Sequence, residues 1–462
     1  MYIEDALGDW TESLRWHDIP DAIRDIARTC VLDGLSVGLA GSRTDAYVLA
    51  ARAINELTGS SPGNCTVLGS PARTVPAAAA WLNGVAMHAL DFDDTSYAGI
   101  LHATAAILPA AMAVTEHMHG DFEDLLTAYI AGVEVELAVG TALGDCLYAK
   151  GHWTTTALGV VGSAAASAKA LRLSAAQTAN AIRLAFNTSI GTRSVHGSFG
   201  KPYLCGVAAR LGVEAAYAAR AGLNAGPDTL AGRYGYAAVA NDGKLDLKAF
   251  QSLGKPFRIA EPGMALKMHP VCSAGQAAIQ AVLELQNEFA INADDVVRAH
   301  VYATELVVSC LIHSRPQAAT QAQFSMQFAV STALLRRGLG IEHLDSDWIK
   351  SETLQSYLQR VSLYEDKDLV APEDLIQHPE AARVVLELAD GRQLERTVLA
   401  ARGMPINPLD RQEAAAKFIS CASQVYPQSE ANGLYRELQS ATKGTLLSEL
   451  LQRTSCSERS GP

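Results

Sequence analysis

Residues Asp21–Gly41 read DAIRDIARTCVLDGLSVGLAG. Ile23, Ile26, Ala27, Cys30, Val31 and Leu35 recur at helical spacing and so share one face of a helix. Pro20 stands before the segment and a glycine closes it, which is a helix-stop signal. The same patterning returns at Val75–Leu90, Thr104–Glu116, Phe122–Leu143, Thr155–Leu171, Ala175–Ile190 and Pro202–Ala221. Ser174 and Gln177 form a capping box at the head of one of these segments. Alanine and glycine occupy several faces, which predicts closely packed helices buried all round. Neither a βαβ alternation nor a repeat of fixed period is present, so the first half reads as all-helical.

The character changes at Lys255–Pro270, where Pro256, Pro262 and Pro270 punctuate an irregular stretch. Ser273–Leu285 reads as a helix, and Asp295–Leu311 is β-branched and reads as a strand. Phe324–Arg337 is helical again. Ala382–Leu399 reads as a hairpin turning at Asp390-Gly391. Helical patterning resumes from Asn407 and ends in a polar tail expected to fray. The expected architecture is mainly α: an all-helical domain from residues 1–265 and 403–462, with an α+β domain, 266–402, inserted before the C-terminal helices.

Composition narrows the function classes. The 462 residues are 49% hydrophobic and 19% charged, too long for one core, which rarely grows past ~250–300 residues. Lys plus Arg number 37 against 49 Asp plus Glu, for a net charge of −12, with no block of like charge. A nucleic-acid groove or a polybasic membrane surface is therefore not expected. Eight scattered cysteines (Cys30, Cys65, Cys146, Cys205, Cys272, Cys310, Cys421, Cys456) lack metal-site spacing and read as reduced thiols. The acidic N-terminus is unlike a signal peptide, and no apolar run reaches the ~20 residues needed to span a bilayer. A cytoplasmic protein is expected.

Four polar clusters interrupt the apolar sequence. The first runs from His88 through Asp91, Asp93, Asp94, Thr95 and Tyr97 to His102 and Thr104. Such a set serves either as helix caps or as a pocket in which His102 and Asp91 move protons. The second, Gly151-His152-Trp153-Thr154-Thr155-Thr156, is either an anion site at a helix start or an ordinary hydroxyl cap. The third, Gly191–Pro202, carries Arg193, His196 and Lys201 ahead of a helix; it suits a carboxylate or phosphate, or is a solvated loop. It is not a P-loop, because Pro202 follows Lys201. The fourth, Lys267-Met-His269-Pro270-Val-Cys272-Ser273, places a lysine among apolar neighbours, where it either snorkels or works as a cation. Cys272 there is either inert packing or a thiol acidified by a helix start. No dinucleotide fingerprint, metal triad or nucleophile elbow occurs. The clusters together suggest a cofactor-free, metal-free pocket for a small anion.

HALDFDDT, HATAAILPA, TALGVVGSAAASAKALRLS, GKPYLCGVAARLGVEAA, ALKMHPVC, QFSMQFAVSTALL and GMPINP, in this order, resemble the MmgE/PrpD family over roughly Asp21–Phe418. That family includes 2-methylcitrate dehydratase, cis-aconitate decarboxylase and iminodisuccinate epimerase. The resemblance implies a large helical domain plus an α+β domain, a homodimer, and action on polycarboxylates without a required cofactor. It places Asp91, Thr95, His102, Lys201 and Lys267 on active-site positions of the decarboxylase branch. Three of that branch's histidines fall instead on Trp153 (with His152 beside it), Leu204 and Cys272, and the Thr95–His102 spacing is one residue longer.

The shared chemistry would be proton transfer at carbon next to a carboxylate. Lys201, Lys267 and Arg193 would hold carboxylates and stabilise developing charge, with Thr95, Cys272, Trp153 and His269 contributing to binding. His102, oriented by Asp91, is the expected general base or acid, with His152 and Lys267 also in catalytic places. A dehydratase-like lyase is expected. An isomerase or epimerase of a dicarboxylate such as iminodisuccinate, and a non-catalytic carboxylate-binding protein, are the alternatives. Because the chain is acidic overall, an anionic substrate further predicts basic charge gathered in the cleft.

Overall fold

In the computed structural model, residues 2–58 and 63–455 are described; Cys456 and the polar tail expected to fray lie outside them. The helices of the first half are α1 (Ile3–Ser13), α2 (Asp21–Gly41), α3 (Asp45–Thr58), α4 (Pro76–His88), α5 (Ala103–His117), α6 (Phe122–Leu143), α7 (Cys146–Ala149), α8 (Thr154–Ala170), α9 (Ala175–Phe186), α10 (Gly200–Arg220) and α11 (Tyr236–Ala240). A short ribbon, β1 (Cys65–Thr66) with β2 (Arg73–Thr74), lies between α3 and α4. Most expected boundaries hold within a few residues. The Ser174 box forms: its backbone N–H donates to Gln177 Oε1 at 3.1 Å, and the Gln177 N–H donates back to Ser174 Oγ.

The small residues do what their distribution predicts. A Cβ placed on Gly41 of α2 would lie 1.8 Å from the Ala86 carbonyl oxygen of α4, and one on Gly206 of α10 would lie 2.4 Å from that of Trp81. Only glycine lets these backbones approach so closely. Helix α6 is long and apolar enough by length and composition to cross a bilayer, but 94% of its apolar window is buried inside the protein.

Past the irregular stretch come α12 (Gln276–Phe289), β3 (Val296–Ala303), α13 (Glu305–Cys310), α14 (Ala319–Ala322), α15 (Met326–Arg336), α16 (Ser346–Lys350), α17 (Glu352–Tyr357), β4 (Val361–Glu365), β5 (Ala382–Leu388) and β6 (Gln393–Val398). The sheet order is β4-β3-β5-β6. Strand β4 runs parallel to β3 (Ala299 beside Val361), while β5 is antiparallel to both β3 and β6 (Leu386 beside Ala299 and Leu394). The expected hairpin forms, with Gly391 in the left-handed region at φ 90°. The expected strand Asp295–Leu311 is only half strand. Chain extension ends at Thr304 (φ −66°, ψ 161°), and Glu305 opens α13 with its acid at the positive end of the helix. Local helix initiation there overrides the β preference of Val307 and Val308.

Helices α18 (Arg411–Ala422), α19 (Gln428–Ser440) and α20 (Leu447–Gln452) return to the first half, α18 lying against α2. Apolar burial gathers in two main cores. One is built from α1, α2 and α4–α10 with Phe418, Leu434 and Leu451; the other from α12, α15 and the sheet, and it also takes in Val37, Leu90, Phe92 and Tyr148. The segment after α4 thus runs along the seam between the cores, tied across it by the mutual backbone hydrogen bonds of Thr95 and Ala265 at 2.9 and 2.8 Å.

Candidate active site

Between His88, the last residue of α4, and His102, just before α5, the chain crosses this seam. Asp91 sits in the left-handed region at φ 48°, so neighbouring acids turn toward different partners. Its carboxylate accepts one hydrogen bond from Lys201 Nζ at 2.7 Å and another from Lys267 Nζ, and Lys267 also donates to the Asp91 carbonyl at 2.7 Å. Lys201 comes from the first turn of α10 and Lys267 from the irregular stretch, so three remote segments converge on one buried carboxylate. Burial pushes the Asp91 carboxyl up, but Lys201 and Lys267 outweigh it and hold it well below the usual carboxylate range. Burial likewise opposes the Lys267 charge, yet Asp91 and Asp93 hold its ammonium above its usual value.

Two histidines stand behind this bridge. His88 Nδ1 donates to Asp93 Oδ2 at 2.8 Å, and His88 Nε2 accepts from Lys201 Nζ at 2.6 Å. This fixes a neutral tautomer, in keeping with a ring whose value is lowered mainly by burial. His102 Nδ1 donates to the Asp94 carbonyl at 2.8 Å and lies 3.3 Å from Asp93 Oδ2 and 3.5 Å from Thr95 Oγ1. With Nδ1 so engaged, Nε2 is the basic nitrogen of the neutral ring. Burial first, then the Lys201 charge, pushes His102 down to about 4. Asp93 itself stays ionised: burial raises it, but the two imidazoles pull it well below the usual range. His102 is therefore oriented by Asp93 and the Asp94 carbonyl rather than by Asp91, whose oxygens are taken by the lysines.

The walls are aromatic. Lys201 Nζ lies 5.2 Å from the ring centroids of both Trp153 and Phe324, within cation–π reach, and Trp153 packs on His88 at 5.3 Å. Trp153, and not His152, thus faces the lysine–aspartate bridge; half-buried His152 pairs its backbone with Thr192. Two of the three threonine hydroxyls of the second cluster serve the backbone rather than an anion. Thr154 donates to the Ile100 carbonyl, and Thr155 Oγ1 accepts the His102 N–H at 3.0 Å. Arg193 stands farther out, its guanidinium 3.9 Å over the Tyr148 ring and bonded to the Ser309 carbonyl at 3.1 Å. His269 turns to the second core, with Nδ1 on the Leu339 carbonyl at 2.9 Å.

Cys272 is buried beside Cys310, whose sulfur lies 3.1 Å from the Tyr148 hydroxyl. Hydrogen bonding to Cys310, then burial, pushes the Cys272 thiol up, while the Cys272 hydrogen bond pulls Cys310 down to about 6. Next to them Ser273 donates to Glu380 Oε1 at 2.7 Å. The basic charge expected in the cleft is largely matched: two ammonium groups meet two ionised carboxylates, with Arg193 at the margin.

Among the described residues, His88, Asp93 and His102 bring donor atoms within 4.8 Å of one another, the spacing of a metal site. Asp93 Oδ2 is already shared by both rings and Lys201 holds His88 Nε2, so the lysine fills the place of a cation. His88 and Asp93 were absent from the candidates drawn from the sequence, although both stand in the HALDFDDT motif. A surface cleft of about 460 Å³, lined by Arg15, Lys169, Arg172 and others, contains none of these groups.

Comparison with known proteins gives a consistent answer. The model of the MmgE/PrpD N-terminal domain matches residues 5–248, and that of the MmgE/PrpD C-terminal domain matches residues 269–439. A cis-aconitate decarboxylase-like protein, oryM, from Aspergillus oryzae is 26% identical over 96% of this chain and 95% of its own length. Human cis-aconitate decarboxylase is 25% identical over 92% of this chain and 88% of its own. The cis-aconitate decarboxylase of Aspergillus terreus is 22% identical over 98% and 95%.

Proposed function

The chain belongs to the MmgE/PrpD family, and on that premise we propose that it is a cofactor-independent lyase acting on a small di- or tricarboxylate by proton transfer at carbon next to a carboxylate. The observation that carries this reading is the Asp91 carboxylate gripped by two buried lysines. A site that holds one carboxylate in this way is built to hold another: a substrate carboxylate takes up the same ammonium groups. Those groups then stabilise the negative charge that develops when a bond at the adjacent carbon breaks. His102 Nε2 supplies the proton-transfer nitrogen, with Asp93 steadying the ring.

Substrate binding also corrects the ring's basicity. An anion over Lys201 and Lys267 offsets the positive field that depresses His102 and brings its value back toward neutrality. Trp153 and Phe324 enclose Lys201, keeping water from the pair and strengthening each charge interaction.

The names of the relatives place carbon–carbon cleavage first among the lyase reactions to try. Partnering as a homodimer and a cytoplasmic location belong to the same proposal. The test is product formation from cis-aconitate, citrate and 2-methylcitrate by the purified protein. Turnover of any of them, abolished in Lys267→Ala, is expected. Turnover that survives Lys267→Ala, or tight binding without any turnover, defeats the reading.

A further inference from the structure

We propose that Glu380, working through Tyr97 and Ser273, is the proton supply of the reaction, set across the seam from Asp91, His102 and the two lysines. The proposal rests on the lyase reading and adds the acid which that reading lacks. Asp91 and Asp93 are held ionised and cannot donate. Lys267 is held charged, and the Nδ1 proton of His102 is committed to a carbonyl. Burial pushes Asp94 up to about 7 as well, but Thr104 engages both of its carboxyl oxygens.

Glu380 precedes β5, where the Thr304 hydroxyl fixes the backbone by donating to the Pro379 carbonyl at 2.6 Å. Its side chain is buried, and among the described residues no ion pair involves it. Oε1 accepts from Ser273 Oγ at 2.7 Å, and Ser273 belongs to the same short segment as Lys267 and Cys272. Tyr97, two residues after Thr95, has its hydroxyl in the neighbourhood of Ser273 and Glu380; that hydroxyl is buried and has no well-formed hydrogen bond. The groups facing Glu380 are Lys267, already engaged by Asp91, the sulfurs of Cys272 and Cys310, Tyr97 and Ser273. Burial is the largest influence and pushes the carboxyl up to about 7, so it carries a proton at neutral pH. A neutral carboxyl and an ionised one in a shared site is the pattern by which one site separates acid and base roles.

In a decarboxylation the bond to the departing carboxylate breaks and CO₂ leaves with its carbon. The bonding pair stays on the substrate carbon, delocalised toward a carboxylate held by the lysines. His102 Nε2 gives that carbon its proton, the Tyr97 hydroxyl restores the His102 proton with one taken from Glu380, and the Glu380 carboxylate is reprotonated by water.

The test uses the full chain with cis-aconitate and compares Glu380→Gln, Glu380→Asp and Tyr97→Phe. Wild type is expected to lose kcat as pH rises through about 7. Glu380→Gln, which keeps the neutral hydrogen bonding, is expected to lose ~10²-fold in kcat with little change in KM and to lack that alkaline limb. Glu380→Asp restores part of the rate together with the limb, which a purely structural role would not do. A Glu380→Gln enzyme with wild-type kcat, or with the same alkaline limb, overturns the proposal. Infrared difference spectra read the carboxyl without any substrate: a buried acid carbonyl band titrating near 7, absent from Glu380→Gln, supports it, and no such band overturns it. Wild-type silence on every substrate defeats the lyase reading alone, and the infrared titration still decides the state of Glu380.

Discussion

Replacing Asp91 by asparagine keeps the shape of the bridge and removes its charge. Wild-type Asp91 accepts from Lys201 and Lys267 with all three side chains buried. The asparagine amide offers one acceptor where there were two, and leaves two ammonium groups facing each other. Breaking a buried ion pair by removing one partner costs about 3–5 kcal/mol. Two like charges ~5 Å apart repel by about 3 kcal/mol at an effective dielectric constant of ~20. A loss of several kcal/mol is expected at pH 7, visible as a clear fall in melting temperature. The sign with pH is fixed: the folded Asp91 value lies well below 3.8, so its stabilisation is present above that pH and fades as pH falls further. The gap between the two proteins should therefore narrow in acid. Low millimolar citrate is the second half of the assay. If the lysines are carboxylate anchors, citrate replaces the missing charge and raises the melting temperature of Asp91→Asn more than that of wild type. The comparison is made at matched ionic strength and repeated with Lys267→Ala, in which the extra rise should vanish. A variant as stable as wild type within ~0.5 kcal/mol, the usual range of a surface change, refutes the reasoning. So does an equal citrate effect on both proteins.

His102→Gln should lower kcat by ~10²–10⁴-fold, checked by steady-state kinetics, while its melting temperature at pH 7 changes little. The acid limb of kcat/KM, which reports the free protein, should fall near 4, and that of kcat should lie higher because the bound anion offsets the Lys201 field; coincident limbs would count against this. His102 folds with its value lowered from 6.5 to about 4, so its stabilisation is full above 6.5 and is lost as pH falls toward 4, up to about 3 kcal/mol; His102→Gln should be less acid-sensitive in that window by denaturant titration. Lys417→Met breaks the buried pair with Asp33 at 2.8 Å and the hydrogen bond to the Phe92 carbonyl at 2.9 Å; a loss of about 3–5 kcal/mol is expected by thermal unfolding, with reduced kcat because Phe92 adjoins Asp91 and Asp93. Gly41→Ala sets a methyl 1.8 Å from the Ala86 carbonyl oxygen and should cost about 1–3 kcal/mol or more by the same measurement.

Much of the helical half was legible because its signals are local. The stripe of Asp21–Gly41 and the Ser174 box act within one or two turns, and both reappear as expected. The Asp390-Gly391 hairpin is local in the same sense. The parallel pairing of β3 with β4 was not legible, since VSLYE is short and its partner lies some sixty residues earlier. Likewise Asp295–Leu311 is rich in β-branched residues on both sides of Thr304, and only the turn of the chain there divides it.

The site divides along the same line. Asp91 and Lys201 stood out within polar clusters that interrupt apolar sequence, and Lys267 as a charge among apolar neighbours, patterns that sequence displays. The division of labour between Asp91 and Asp93 did not stand out. It depends on the left-handed backbone at Asp91, which sends one acid to the lysines and the other to the imidazoles. His88 was named in the same cluster but given no role, because nothing near it in the sequence shows what its ring meets. Its bond to Lys201 spans 113 positions in the chain.

The central claim is that the lysine pair holds a carboxylate while His102 moves a proton at the neighbouring carbon. Proton NMR in D₂O tests it most directly, with cis-aconitate, citrate, 2-methylcitrate and iminodisuccinate given in parallel to wild type, His102→Gln and Lys267→Ala. The account predicts a lyase product from wild type, carrying deuterium at carbon next to a carboxylate, and at least ~10²-fold slower formation in both variants. Equal rates in the three proteins, or a product without deuterium at that carbon, would contradict it.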